Sequence, residues 1–253
     1  MNLLRFIKIS AAVMGVSISL QAHAEDLLEA RSPVVVEMFV SQACENCPKA
    51  TEYFAKLAER PDIVALSWHV DYWDNIVAGR NGRWSDPFAD PSYADRQRNY
   101  NNNLRGRPIV FTPQVVVNGS KSVVGSHFAE VEEAIETNLM PAVAPSIRFQ
   151  ASKGEQIEVA LDNLSSDQSV FLVSFYKQAE THVKGGANAG LTFKNANIVN
   201  EVKALDFLAS PKRSVMIDQP MDQMGCAVVV QAPGQGEILN AAYCPSKSAG
   251  AAQ

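Results

Sequence analysis

Histidine and basic side chains are scarce in this chain, and long apolar runs are absent after its first residues. Four histidines in 253 residues leave few nitrogen ligands for a metal centre. With 22 Lys and Arg against 27 Asp and Glu, the formal charge is −5, so a nucleic-acid backbone finds no basic footprint. Beyond the first 24 residues no segment is apolar for long enough to cross a bilayer as a helix. No internal repeat is evident, and low complexity is confined to the tail 246–253, which its composition predicts to be disordered.

The start of the chain carries the pattern of an export signal. Arg5 and Lys8 form a positive segment, Ile9 to Leu20 an apolar one, and Ala22-His23-Ala24 offers small residues for cleavage ahead of Glu25. Residues 1–24 are therefore read as a signal peptide, and the protein as periplasmic or secreted. Processing leaves three histidines and 20 basic side chains against 27 acidic ones, a formal charge of −7. Four cysteines remain, Cys44 with Cys47 and Cys226 with Cys244. In an exported chain an even count favours pairing over free thiols.

The hydrophobic pattern divides the rest in two. Pro33 to Val40 is almost continuously apolar, as in a strand covered on both faces. Ala50, Tyr53, Phe54, Leu57 and Ala58 recur at helical spacing up to Pro61, and "DIVALSWHV" reads as the next strand. A weaker helical face follows in "SYADRQRNYNNNL". "PQVVVNGSKSVVG" is a hairpin about Asn118-Gly119, and Phe128 to Leu139 is a closing helix with Ser126 as its cap. Residues 141–145 hold two prolines and read as a linker. Seven short, partly alternating runs over 146–245 then predict an all-β, sandwich-like domain.

Over residues 25–140 the order strand, helix, strand, helix, hairpin, helix, with C-x-x-C after the first strand, is that of a thioredoxin-like α/β domain. "VVVEMFVSQACENCPKA", "LSWHVDYWD", "DPFADPSYADRQRNY", "FTPQVVVNG" and "GGANAG" together resemble the secreted thioredoxin-like family catalogued as domain of unknown function number twelve twenty-three. The resemblance implies that Thr112-Pro113 is cis and packs beside the cysteines. Ala43 stands where relatives often have glycine, and Lys49 where they often have a second proline.

A C-x-x-C pair at a helix N-terminus suits thiol–disulfide exchange, because the helix dipole favours the thiolate. The expected roles are Cys44 as nucleophile and Cys47, one turn inward, as resolving thiol. Thr112, Pro113, His69 and Trp73 are expected to support them. His69 either passes protons or is a structural hydrogen-bonding residue. Glu45 opposes negative charge on Cys44 and points to a moderate potential. Asp71 and Asp74 are candidate loop anchors.

Six arginines between Arg80 and Arg107, against three aspartates, form either an anion-attracting edge or a solvated, internally paired surface. Cys226 and Cys244 flank a hairpin in which Val228 faces Ala242, so a structural disulfide is expected. The competing reading is a second redox pair. Met221, Met224 and Cys226, or the C-x-x-C itself, are soft ligands for copper(I), but core packing accounts for the methionines and no metal or cofactor is expected. The functional expectation is an exported thiol–disulfide oxidoreductase acting on a protein or small-molecule thiol, with no nucleic-acid partner. The alternative is a non-catalytic docking module with a structural disulfide.

Overall fold

The run "VVVEMFV" forms β1 (Val34–Val40), seven consecutive buried residues. A strand reads this way only when both of its faces are covered. In a computed structural model, residues 32–139, 145–151, 155–207 and 213–246 are described, and all fall within one unit beginning at Ser32. The expected signal peptide lies outside the described residues, as do the linker and tail apart from Pro145 and Ser246.

β1 pairs in parallel with β2 (Ile63–His69) and antiparallel with β3 (Gln114–Val117). β3 turns into β4 (Lys121–Val124) through Asn118 and Gly119, at φ 47° and 64°. Val117 pairs with Lys121 across a three-residue loop, and Ser120 N–H donates to Val117 C=O at 3.0 Å over a turn whose two central residues are both at positive φ. A side chain at Gly119 would also stand 2.6 Å from the Gly236 carbonyl oxygen.

Val34, Val36, Met38 and Val40 face α1 (Pro48–Leu57) and α3 (Phe128–Thr137), which contribute Phe54, Leu57, Val131 and Ile135. The other face packs on α2 (Pro91–Arg105), where Tyr93 and Tyr100 meet Phe39 and Trp68. Helix α2 is capped by Asp90, which accepts from the Ser92 N–H, and ends at Gly106 with φ 68°. At α3 the N-cap is His127 rather than the expected Ser126, and its side chain makes no capping bond.

The separate sandwich expected over 146–245 does not form. β7 (Ser169–His182), β8 (Thr192–Ala204), β10 (Met224–Gln231) and β11 (Ile238–Tyr243) extend the first sheet, giving the order β11-β10-β7-β8-β2-β1-β3-β4. Only β5 (Ser146–Ala151), β6 (Gln156–Asp162) and β9 (Ser214–Asp218) form a second sheet, which packs Ile157, Val159 and Leu161 against Val170, Val228 and Val230. The reason lies at the edge of β2. β8 bonds β2 at one register position, Ser67 with Ile198, and elsewhere side chains complete the edge. Ala65 N–H donates to the Tyr243 hydroxyl at 2.7 Å, and Ala65 C=O accepts from Asn197 Nδ2 at 3.0 Å. Buried backbone groups need partners, and here they come from residues more than a hundred positions away.

Glu37, wholly buried on β1, accepts from Arg96 Nε at 2.8 Å and from the Tyr100 hydroxyl at 2.5 Å. Gln231 on β10 donates to that hydroxyl at 2.8 Å, and the guanidinium lies over the Trp68 ring at 4.8 Å. Removing one partner of a buried pair strands the other charge. Glu37→Ala should therefore lower the unfolding free energy by about 3–5 kcal/mol. Asp95→Ala, which breaks the exposed pair with Arg98, should cost less than about 1 kcal/mol. Urea titration of both variants checks this, and equal losses would contradict it.

Candidate functional site

The first strand leads directly into the cysteine pair. After Val40 the chain turns through Ser41, whose hydroxyl accepts from Ala43 N–H and whose carbonyl accepts from Cys44 N–H, both at 3.1 Å. Helix α1 begins at Pro48 with Cys47 as its N-cap, and Cys47 C=O accepts from Thr51 N–H at 2.9 Å. Proline at the first helical position is pre-set for the helix and lacks an N–H that would go unpaired there. The helix therefore starts later than the redox reading, which puts Cys44 at its N-terminus, expects. Cys47, not Cys44, stands at its positive tip, and Cys44 lies one turn before it.

Cys44 and Cys47 form a disulfide with Cα atoms 5.4 Å apart. Both residues are 0% exposed, while Glu45 and Asn46 between them face solvent. A sulfur presented at the surface, as exchange chemistry leads one to expect, is thus not what this form of the molecule has.

Two remote segments, residues 84–86 and the turn that holds Asn188, bond to the cysteine turn. Asn188 Nδ2 donates to the carbonyls of Gln42 and Cys44, each at 2.8 Å. Trp84 Nε1 donates to Gln42 Oε1 at 3.2 Å. Asp86 Oδ2 accepts from Gln42 N–H at 2.7 Å and lies 2.7 Å from His69 Nδ1. His69 ends β2 opposite Val40, on the sheet face that carries the cysteines, and its Nε2 is buried without a partner. Burial alone would raise the Asp86 carboxyl, but the adjoining His69 ring and the bonds from His69, Gln42 and Phe88 outweigh it and hold the carboxyl below its usual range.

Of the other expected residues, Trp73 Nε1 donates to Thr112 Oγ1 at 2.7 Å, and Trp73 packs against the cluster that includes both cysteines. The Thr112–Pro113 peptide is cis. Pro113 directly precedes Gln114, which pairs with Phe39 on the strand that leads to Cys44. Asp74 accepts from Asp86 N–H at 3.2 Å, and burial raises its pKa. The arginines do not form one basic edge. Arg96 turns inward to Glu37, Arg98 pairs with Asp95, and Arg105 covers Phe111.

β10 and β11 pair with Val228 opposite Ala242, and Cys226 is bonded to Cys244 with Cα atoms 5.3 Å apart. That bond removes the Cys226 thiolate from the set of soft ligands, while Met221 is 72% exposed and Met224 is buried in β10. Among the described residues no group of three or more His, Cys, Asp or Glu side chains is placed to hold a metal ion. No described helix is long and apolar enough to cross a membrane.

Sequence reasoning missed Gln42, Trp84, Asp86 and Asn188. Three of them lie in the motifs that carry the family resemblance, Gln42 in "VVVEMFVSQACENCPKA", Asp86 in "DPFADPSYADRQRNY" and Asn188 in "GGANAG", which marked none of them as a site residue.

Fold and site together define a mixed α/β protein with an eight-stranded sheet whose first strand delivers an enclosed C-x-x-C disulfide. The chain belongs to the family described as Protein of unknown function (DUF1223), whose model matches residues 35–231. No curated protein matches it. Among solved structures it is similar to protein AGR_C_4864 of Agrobacterium tumefaciens, at 24% identity and TM-score 0.62, over 87% of this chain and 96% of that one. It is also similar to HBP35 of Porphyromonas gingivalis, at 14% identity and TM-score 0.56, over 88% of this chain and 78% of that one. At these identities the likeness speaks to the fold alone.

The depressed Asp86 carboxyl gives a pH prediction. A carboxylate held below its unfolded-state pKa contributes stability that is fully present above roughly pH 4 and is lost as pH falls through the folded-state value. Asp86→Asn should lower stability at neutral pH by about 3 kcal/mol and flatten the acid limb of a thermal-melting profile. An acid limb as steep as that of the unsubstituted protein would show that Asp86 is not its source.

Proposed function

We propose that the protein is an exported thiol–disulfide oxidoreductase whose reacting pair is Cys44 and Cys47, carried on a thioredoxin-like unit over residues 25–140. The observation that carries this reading is the disulfide joined to the N-cap of α1, on the sheet face next to the Thr112–Pro113 strand entry. The sheet order β2-β1-β3-β4 with helices on both faces, the cis Thr112–Pro113 peptide and Trp73 bridging to Thr112 support the thioredoxin-like assignment. The apolar start of the chain and the two disulfides support a periplasmic or secreted location.

The bonded form accepts two electrons. A partner thiolate attacks Cys44 Sγ, Cys47 leaves as a thiolate and takes up a proton, and a mixed disulfide links the partner to Cys44. The partner's second thiolate then attacks its own bonded sulfur, releasing Cys44 as a thiolate and leaving the partner oxidised. Run backward, the same steps reduce a partner disulfide. Cys47, at the helix tip, is the better-stabilised leaving thiolate.

Full enclosure of the sulfurs favours the other reading, a docking module with an inert crosslink. Cys47→Ser separates the two. An oxidoreductase carrying this substitution should accumulate partners on Cys44 in the exported fraction, seen as thiol-sensitive higher-mass species on non-reducing gels. Their absence, with the folded protein present and Cys44 open to alkylation, would leave the docking module.

A further inference from the structure

The ribbon formed by β7 and β8 runs beside α1, and its tip, residues 183–191, reaches the cysteine turn. The tip is fastened by few bonds, nearly all polar. Asn188, 4% exposed, supplies both donors to the Gln42 and Cys44 carbonyls, and Gly186 N–H donates to Asn81 C=O at 3.1 Å. Gly185 and Gly186 let the tip lie flat on residues 83 and 84. A side chain at Gly185 would collide with the Arg83 carbonyl oxygen, and one at Gly186 would stand 3.0 Å from Trp84 Cβ.

Behind the tip the ribbon is not sealed onto the helix. A groove of about 870 Å³ lies between Ala55 of α1, with Ala58 and Glu59 just past its end, and Lys177–Glu180 and Lys194–Asn197 of the ribbon. Within its lining, Asn195 is buried with both carboxamide atoms unpartnered. The ladder between β7 and β8 also shifts register at Ser174 and Phe175. Tight apolar packing would fix such a ribbon along its length. Here Val183 and Phe193 are buried on either side of the tip, but residues 184–190 between them bury no apolar side chain, and segments with few buried apolar contacts are those that open locally.

We infer that residues 184–190 are a latch that gates access to the Cys44–Cys47 disulfide, with Asn188 as its fastening. Exchange requires the latch to lift, and lifting exposes the sulfurs without unfolding the sheet. The latch is read from geometry alone, but its purpose rests on the redox reading proposed above.

The test measures accessibility, not turnover. The oxidised full chain is treated with a small water-soluble phosphine, quenched at intervals by alkylation, and the two disulfides are followed separately by peptide mass. Asn188→Ala should speed reduction of Cys44–Cys47 by roughly tenfold to hundredfold, as expected when two buried hydrogen bonds leave the closed state. Gly185→Ala should act in the same direction by lifting the tip off Arg83. Lys184→Ala, on the exposed side of the same loop, should change nothing.

Cys226–Cys244 is the internal reference, and its rate should stay constant throughout. The inference is overturned if neither Asn188→Ala nor Gly185→Ala changes the Cys44–Cys47 rate. It is equally overturned if either variant speeds both disulfides alike, because the loop would then be part of the global fold. Faster reduction in these variants without any partner trapped by Cys47→Ser would keep the latch and remove the oxidoreductase.

Discussion

The stretch from Ser41 to Cys44 leaves the sheet while still buried, and its peptide groups must find partners there. A backbone N–H or C=O removed from water without a partner costs on the order of 1–3 kcal/mol. No neighbouring strand continues far enough to serve Gln42 and Cys44. Asp86 supplies the acceptor and Asn188 the donors. These three bonds draw the irregular segment after β2 and the far end of the β7–β8 ribbon onto the cysteine turn. The enclosure of the disulfide follows from satisfying its own backbone.

The same constraint joins the two halves of the chain elsewhere. Ala65 on β2 has its edge completed by Tyr243 and Asn197, and Glu37 on β1 meets a network that ends on β10. Each is a polar group of the first half made tolerable by a side chain of the second. Taken alone, residues 34–137 would expose the β2 edge, and an unpaired edge is a template for aggregation. The later strands therefore complete the first unit, and do not form an independent body tethered to it.

What the sequence made legible follows from the range of the interactions involved. β1, the Asn118-Gly119 turn and the strand opened by Pro113 depend on neighbours within a few residues, and all were readable. The later strands were readable as strands, because alternation reports one buried face. Their sheet was not, because alternation does not say which strand lies alongside, and the partner of Ile198 is Ser67. The site divides in the same way. Cys44, Cys47, His69, Trp73, Thr112 and Pro113 announce themselves by type and position. Asn188 and Asp86 are ordinary polar residues whose significance comes only from distance in space. The start of α1 was misplaced by one turn because the apolar period begins only at Ala50 and leaves open which cysteine caps the helix, which Pro48 at its first position decides.

The two disulfides differ in a way that bears on what each is for. Cys226–Cys244 spans 18 positions and joins neighbouring antiparallel strands. Closing a loop of that size restricts the unfolded chain enough to contribute roughly 3 kcal/mol. Cys44–Cys47 spans three positions, and the same relation gives so small a loop about 2 kcal/mol, since the entropy term grows only with the logarithm of loop length. Its turn is also fixed by bonds from Ser41, Asp86 and Asn188, none of which involves a sulfur. Loop closure thus favours the second disulfide over the first, and the first differs further in standing at the start of a helix with both of its residues buried.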